Sequence, residues 1–379
     1  MNLLYSEVED DLRAAVRGVL ADRGAPAAMP AWIGTGAAYD AGLWRVLGTD
    51  LGLAGLLVPE ELGGQGASAR EAAVVLEELG AAVAPVPFLG GAVLAVRALL
   101  GCDPADDAVA ALLRRLASGV AGALAVPLST APGGKFPSGV RADAAGLLTG
   151  RVTSVADALA ADVLVVPALG PAGPGLYEVA AGAAVVEPVV SLDLTRPLAD
   201  VRFEGVRGRP LAAPEPAEAL DRALLTGAGL LASEQLGIAG WCLDETVRHL
   251  KERRQFGRVV GSYQALKHRL ADVWLEVVSA RAAARAAADR LAGDGLVGGG
   301  RAPAETAVAV AVAVAVAASY ASTAAVHAAE EAVQLHGGIG MTWEHPLHLF
   351  LKRAKADEIA LGTPGAHRAA LGRLVDLTP

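Results

Sequence analysis

A segment in the last third of the chain holds residue types suited to binding a phosphorylated ligand. It reads ERRQFGRVVGSYQALKHRLADVWLE and begins one residue before Arg253. The guanidinium of Arg253 is a permanent, planar cation that matches a pyrophosphate. Phe256 can pack against an adenine or a ribose, and Gly257 lets the backbone approach a ligand closely. Gln264 offers both hydrogen-bond donors and acceptors. These residues predict one wall of a nucleotide-binding site.

A second segment, about 70 residues further on, reads QLHGGIGMTWEHPLHLFLKRAKADEIALGT and begins at Gln334. Gly337, Gly338 and Gly340 permit positive φ angles and close contact between backbone and ligand. Each segment alone also has a purely structural explanation. The arginines can form a solvated helix end, and the glycines can form a helix C-cap. The combined spacing of the two segments favours a cofactor site.

Composition limits the remaining possibilities. The chain has 379 residues, of which 53% are hydrophobic and 19% are charged, so we expect folded domains around a large core. The net charge of −9 argues against a nucleic-acid partner, because phosphate binding requires a basic surface. Cys102 and Cys242 are too few for a disulfide framework or a cysteine metal cluster, and no metal site is predicted. The acidic N-terminus lacks the pattern of a signal peptide, which predicts a cytoplasmic location.

The order of the elements is helices, then short strands, then helices. Residues 1–118 read as a helical domain, residues 119–212 as a small antiparallel β domain, and residues 213–379 as a C-terminal four-helix bundle. The β domain is indicated by short β-type runs with Pro and Gly between them. Six apolar residues predict one stripe of a bundle helix: Leu266, Leu270, Val273, Trp274, Val277 and Val278. The glycines of Gly293–Gly300 predict a flexible turn.

An alternating Ala/Val run could be mistaken for a strand or a membrane span. Residues Ala307–Ala318 alternate with a period of two, which is typical of a strand. We nevertheless predict a buried helix, because alanine is the best helix former and no Gly or Pro interrupts Glu305–Leu335. The run is also shorter than the ~20 residues that a membrane span requires, so membrane insertion is not expected.

These two segments and the helix–strand–helix order resemble the acyl-CoA dehydrogenase family of flavoproteins. The sequence VPEELGG near residue 60 fits as well, and the resemblance spans nearly the whole chain. In this family the matching residues contact the pyrophosphate and adenine side of an FAD held mainly by a neighbouring subunit. The resemblance therefore assigns six residues to FAD binding: Arg253, Phe256, Gln264, Gln334, Gly337 and Gly338.

The catalytic base of the family is missing. Family members carry a glutamate in a Y-E-G-T sequence, and Leu361 stands at that position here. Some members carry the base on the first helix of the bundle instead, where this chain has Gly227. Neither residue can accept the α-proton of a thioester. Glu234, two turns further along that helix, is the candidate for a displaced base, although a capping or ion-pair role is the expected one.

The part of the family site that surrounds the isoalloxazine also departs from the pattern. The T-E-P-x-x-G-S-D loop is replaced by Val126–Gly139, which lacks the acid and the S-D pair. The W-I-T/S tripeptide is replaced by Val152–Val155, with Asp157 following. The five tryptophans lie elsewhere: Trp32, Trp44, Trp241, Trp274 and Trp343.

By resemblance, these losses predict the non-catalytic subunit of an α2β2 acyl-CoA dehydrogenase. The expected partners are a catalytic subunit, an acyl-CoA substrate and an electron-transfer flavoprotein. Some such enzymes act on CoA-linked steroid side chains. Two alternatives remain open: a homotetrameric flavoenzyme with a displaced base or other flavin chemistry, and a scaffold with the same fold and no flavin.

Overall fold

The fold was analysed in a computed structural model that describes residues 3–293 and 303–377. The N-terminal part is helical as predicted. Capping boxes at Ser6 and Ser68 start its two longest helices, since each serine bonds to the first turn and a glutamate three residues later bonds back. Its helices are α1 (Glu7–Arg23), α2 (Met29–Ile33), α3 (Ala41–Trp44), α4 (Ala69–Ala82), α5 (Val96–Leu100) and α6 (Asp107–Ala117).

A mixed sheet follows. Its strands are β1 (Gly122–Leu124), β2 (Val140–Ala142), β3 (Leu147–Ala156), β4 (Val163–Gly170), β5 (Gly173–Ala180), β6 (Val185–Val189), β7 (Leu198–Arg207) and β8 (Arg209–Leu211). The strand order is β6-β7-β3-β2-β4-β5-β8, and β1 also pairs with β4. The antiparallel prediction holds for most strand pairs, but β4 pairs in parallel with both β1 and β2. A long connection from β1 to β2 returns the chain in the same direction, which a hairpin cannot do.

The C-terminal part is built from three long helices and two short ones. Its elements are α7 (Pro216–Glu252), β9 (Arg254–Gln255), β10 (Arg258–Val259), α8 (Gln264–Gly293), α9 (Ala304–His336), α10 (Leu347–Asp357) and α11 (Pro364–Leu374). Beyond Gly293, the predicted turn lies outside the described residues. The predicted stripe on α8 is split, because Val273 and Val277 are buried whereas Trp274 and Val278 are exposed.

The alternating Ala/Val run is helical and lies within α9, as predicted. This helix packs against α7, α8, α10 and α11. Ala304–Met341 is the one helix in the described chain that is long and apolar enough to cross a membrane, but half of its most apolar window is buried inside the protein. Burial of this kind is what the core helix of a bundle requires.

A close helix crossing docks the N-terminal part onto the bundle. Gly80 of α4 and Gly237 of α7 lie at the crossing, where a Cβ on Gly80 would overlap the carbonyl oxygen of Glu234. A Cβ on Gly237 would likewise overlap the carbonyl oxygen of Glu77. Only glycine lets the two backbones approach this closely. The crossing fixes the position of α7, which carries Glu234 and ends at the candidate site.

Candidate cofactor-binding site

The C-terminal ends of α7 and α9 meet at a cavity of about 490 Å³. After Arg253 the chain turns into the β9–β10 hairpin, and α9 ends where Gly337 adopts a φ of +64°. Side chains are strained at that angle, which explains the glycine. Four of the six predicted cofactor ligands line this cavity together: Arg253, Gln334, Gly337 and Gly338.

Arg253 is held by its backbone and leaves its side chain available. Its N–H donates to the carbonyl oxygen of His249 at 2.9 Å, and its carbonyl accepts from the N–H of Val260 at 2.8 Å. The exposed guanidinium forms no ion pair with any residue in the described ranges 3–293 and 303–377. Beside it, a Cβ on Gly337 or Gly338 would meet no atom within 4 Å. This corner of the cavity therefore offers an unneutralised cation and an open stretch of backbone to an anion.

The other two predicted ligands, Phe256 and Gln264, do not line the cavity. Phe256 lies at the tip of the β9–β10 hairpin with a φ of +50° and is 89% exposed. Gln264 is the first residue of α8, and its side-chain amide nitrogen lies 3.5 Å from Nε2 of His268. Both side chains are on the surface, where a ligand or a second chain lying across the hairpin could contact them.

The two base positions lie together in an apolar environment. Leu361 is fully buried, with a φ of +53°, and its N–H donates to the carbonyl oxygen of Leu128 at 2.7 Å. A Cβ on Gly227 would overlap Leu94 and lie 3.0 Å from Cδ1 of Leu361. Neither position provides a proton acceptor, and a Cβ at Gly227 would displace the end of the Leu94 side chain.

Glu234 is the centre of a buried ion-pair cluster. Its carboxylate accepts two hydrogen bonds from Arg196, at 2.8 and 2.6 Å, and one from Arg353 at 2.6 Å. Arg196 also donates to Asp357 at 2.8 Å, and Arg353 also donates to Asp193. These residues come from the β6–β7 connection, α7 and α10. The cluster therefore joins the sheet to the bundle.

Within this cluster, the pKa values of Glu234 and Asp357 are shifted in opposite directions. Burial alone would raise the pKa of Glu234, but Arg196 and Arg353 outweigh it and hold the pKa below its usual value. Asp357 has one oxygen, Oδ2, without a partner among the described residues. Burial and the nearby Glu234 raise the pKa of Asp357 to about 8. Glu234 is thus a carboxylate locked by two arginines, which is a poor arrangement for a general base.

A second, smaller cavity lies between the sheet and α10, where the family pattern is missing. Its volume is about 220 Å³, below the roughly 300–1,000 Å³ typical of ligand sites. Ser129 and Ser154 contribute hydroxyls to its lining, and no tryptophan of the described chain lines it. Asp157 is buried and turned toward the N-terminal part, where it accepts a hydrogen bond from the N–H of Gly90 at 2.8 Å.

The sequence analysis missed several residues at these sites. His249 and His336 line the larger cavity, and their rings stack with centroids 4.2 Å apart. Arg196 and Arg353 surround Glu234. The position of His336 directly before the paired glycines was an available signal. Arg196 and Arg353 carried no such signal in the sequence, because they lie 157 residues apart and come close together only in the folded chain.

Neither cysteine offers a reactive thiol. Cys102 and Cys242 are free and buried. Burial raises the pKa of Cys102 to about 12 and also raises the pKa of Cys242. Neither thiol is ionised at neutral pH, so neither is a nucleophile.

Comparisons with known proteins agree with this architecture. Residues 6–119 match the model of the acyl-CoA dehydrogenase N-terminal domain, and residues 218–375 match that of the C-terminal domain. Acyl-CoA dehydrogenase IpdE2 of Mycobacterium tuberculosis is 38% identical over 364 residues, which cover 96% of this chain and 95% of the relative.

Two solved structures are similar over almost the full length. The ChsE4–ChsE5 complex from Mycobacterium tuberculosis matches with a TM-score of 0.84 and 28% identity, covering 100% of both chains. A variant of the Tcur3481–Tcur3483 steroid ACAD matches with a TM-score of 0.82 and 28% identity, covering 98% of both chains.

Proposed function

The chain belongs to the acyl-CoA dehydrogenase family, whose members are FAD-dependent flavoproteins. We propose that it is the non-catalytic subunit of a heteromeric acyl-CoA dehydrogenase. The observation that carries the proposal is the apolar contact between Leu361 and Gly227. Both positions that hold the base in family members are occupied by residues without a proton acceptor. The base must come from another chain.

The residues of the larger cavity fit one half of FAD. The unpaired guanidinium of Arg253 suits the pyrophosphate, and the open backbone at Gly337 and Gly338 admits a phosphate or ribose closely. The amide of Gln334 adds a donor and an acceptor at the same wall. The exposed Phe256 and Gln264 would be covered when the partner chain docks across the hairpin. A bound FAD would supply the acceptor for the hydride that leaves the β-carbon of the acyl-CoA.

The residues beside the smaller cavity do not fit the other half of FAD. A volume of about 220 Å³ is small for a tricyclic ring. The buried ion-pair cluster packs against this region through Asp193 and Arg196, which both line the cavity. The isoalloxazine and the reacting atoms of the substrate therefore belong to the site that the partner subunit supplies with a glutamate and an intact cradle.

The proposed reaction is the α,β-desaturation of an acyl-CoA thioester, with the electrons leaving through an electron-transfer flavoprotein. The substrate class is inferred from the similar structures, one of which is described as a steroid ACAD and one as a complex of two different chains. We therefore propose a bulky, steroid-derived acyl-CoA as substrate. A cytoplasmic location is consistent with this role.

Expression of the chain alone and together with the product of a neighbouring acyl-CoA dehydrogenase gene tests the proposal. The chain alone should purify without flavin or remain insoluble, and the co-expressed pair should be yellow and active. A yellow, active homo-oligomer of this chain would support a self-sufficient enzyme with an unidentified base. A soluble pair that never binds flavin would support a scaffold.

A further inference from the structure

A group of nitrogen and oxygen ligands lies directly behind the glycine turn of the larger cavity. Glu245 comes from α7, His336 is the last residue of α9, and His345 precedes α10. One ligand atom from each residue lies within 4.8 Å of the other two. Nε2 of His345 and Oε1 of Glu245 are 3.2 Å apart. Three separate elements thus converge on one point.

His336 has a buried nitrogen without a partner. Its Nδ1 lies 2.7 Å from the carbonyl oxygen of Ala332, and a carbonyl can only accept, so Nδ1 carries the hydrogen. Nε2 is therefore left with its lone pair, and it has no partner among the described residues although the side chain is only 6% exposed. A histidine whose other nitrogen donates to a backbone carbonyl is typical of metal sites.

The other two residues can complete the site with small changes. Nδ1 of His345 accepts a long bond of 3.3 Å from the N–H of Leu347, so its Nε2–H donates to Glu245. Binding a metal at Nε2 moves that proton to Nδ1. The hydrogen bonds to Glu245 and from Leu347 are then both lost, and the ring must turn so that Nδ1–H does not face the N–H of Leu347. Arg248 also donates to both oxygens of Glu245, at 2.5 Å to Oε1 and 3.0 Å to Oε2, so Oε1 would be shared between Arg248 and the metal.

We propose that Glu245, His336 and His345 bind a divalent transition metal of the zinc class. Two imidazoles and one carboxylate form a ligand set that Zn²⁺ favours, and they leave the fourth tetrahedral position for water. With metal–ligand bonds of about 2.0–2.1 Å, tetrahedral ligands lie about 3.4 Å apart. The widest separation of 4.8 Å must therefore shrink by roughly 1.4 Å, which side-chain rotations on three elements can provide.

Such a metal would connect the end of α7, the end of α9 and the start of α10. Gly337 follows His336 directly, so the metal would fix the turn that lines the larger cavity. His249 stacks on the other face of the His336 ring and restricts its orientation. The proposal concerns only residues of this chain and does not depend on its role as a partner subunit.

Titration of the full chain with ZnCl2, in whichever assembly it purifies, tests the site. The protein is first stripped with a chelator, and isothermal titration calorimetry is combined with the visible spectrum of bound Co²⁺. We expect one metal per copy of this chain and the intense bands of a tetrahedral site. Glu245→Gln and His345→Gln should each weaken binding by a factor of about ten or more.

A surface pair of the same chemistry provides the matched control. His327 contacts Glu276 at 2.7 Å on the α8–α9 surface and lies 4.0 Å from Glu331. It is not one of the three proposed ligands, so His327→Gln should leave the titration unchanged. Metal-free melting curves show whether each variant is folded. If His345→Gln does not fold, the titration of Glu245→Gln still tests the site by itself. Absence of binding, or an affinity that Glu245→Gln does not alter, would overturn the proposal.

Discussion

Replacement of Glu234 by glutamine separates a structural role of this carboxylate from a catalytic one. Glutamine keeps the shape of the side chain but removes the charge that faces Arg196 and Arg353. Removing one partner of a buried ion pair costs about 3–5 kcal/mol, because the other charge is left uncompensated. Here the guanidiniums of Arg196 and Arg353 both lose part of the negative charge that neutralises them.

The expected change in melting temperature follows from chain length. An unfolding entropy of about 2.1 cal/mol/K per residue gives about 0.8 kcal/mol/K for 379 residues. A loss of about 3–5 kcal/mol then lowers the apparent melting temperature by about 4–6 °C. Turnover per bound flavin in the assembled enzyme should stay within about threefold, since loss of a general base costs about 10²–10⁴-fold.

The assay combines differential scanning calorimetry with dye reduction by the acyl-CoA substrate, normalised to bound flavin. Glu78→Gln is the matched control, because Glu78 is a buried carboxylate paired with Arg13 and Arg17 at 2.7 Å, on α4. It should lower stability and leave turnover unchanged. An unchanged melting temperature for Glu234→Gln, together with a hundredfold loss of turnover, would refute the structural assignment.

Three further changes test separate parts of the structure. Arg253→Ala should weaken FAD retention by about 1.5–3 kcal/mol, or roughly 10–150-fold, in an ultrafiltration assay of bound flavin, whereas Arg254→Ala, outside the cavity lining, should not. Asp357→Asn should remove a pH dependence of stability. The raised pKa of Asp357 stabilises the fold at low pH, and this contribution is lost as pH rises from about 4 to 8, by at most about 1.4 kcal/mol per pH unit. A wild-type-minus-variant stability difference that is flat over this range in urea titrations contradicts the assignment. Gly237→Ala forces a methyl group against the carbonyl oxygen of Glu77 and should cost several kcal/mol, measured as a lower melting temperature; an unchanged value would mean that the helices are not in contact there.

The helices were predictable from local sequence, and several strands were not. The alternating run in α9 forms a helix because alanine favours it and four neighbouring helices bury it. The short β-type runs predicted a β domain but not the bounds of every strand, because glycines such as Gly150 within β3 and Gly173 at the start of β5 weaken the strand pattern. The parallel pairing of β4 depends on a long connection whose path no local signal specifies.

The candidate site was predictable only where its residues are close in sequence. Arg253 and Gly337 were found because each stands in a short motif, and the structure brings them to one cavity. Phe256 was expected beside them, but the hairpin turns it outward. Asp357 and Glu234 lie 123 residues apart, so their shared cluster appears only in the folded chain.

The stoichiometry of FAD tests the central claim most directly. In the proposed heterotetramer with two copies of this chain, every chain would offer a cavity for the adenine side of FAD, but only the partner would offer an intact site for the isoalloxazine. Flavin absorbance, measured against protein concentration with the mass from light scattering, should therefore give two FAD per α2β2 complex. Four FAD in a tetramer of this chain alone, with turnover on an acyl-CoA, would contradict the account.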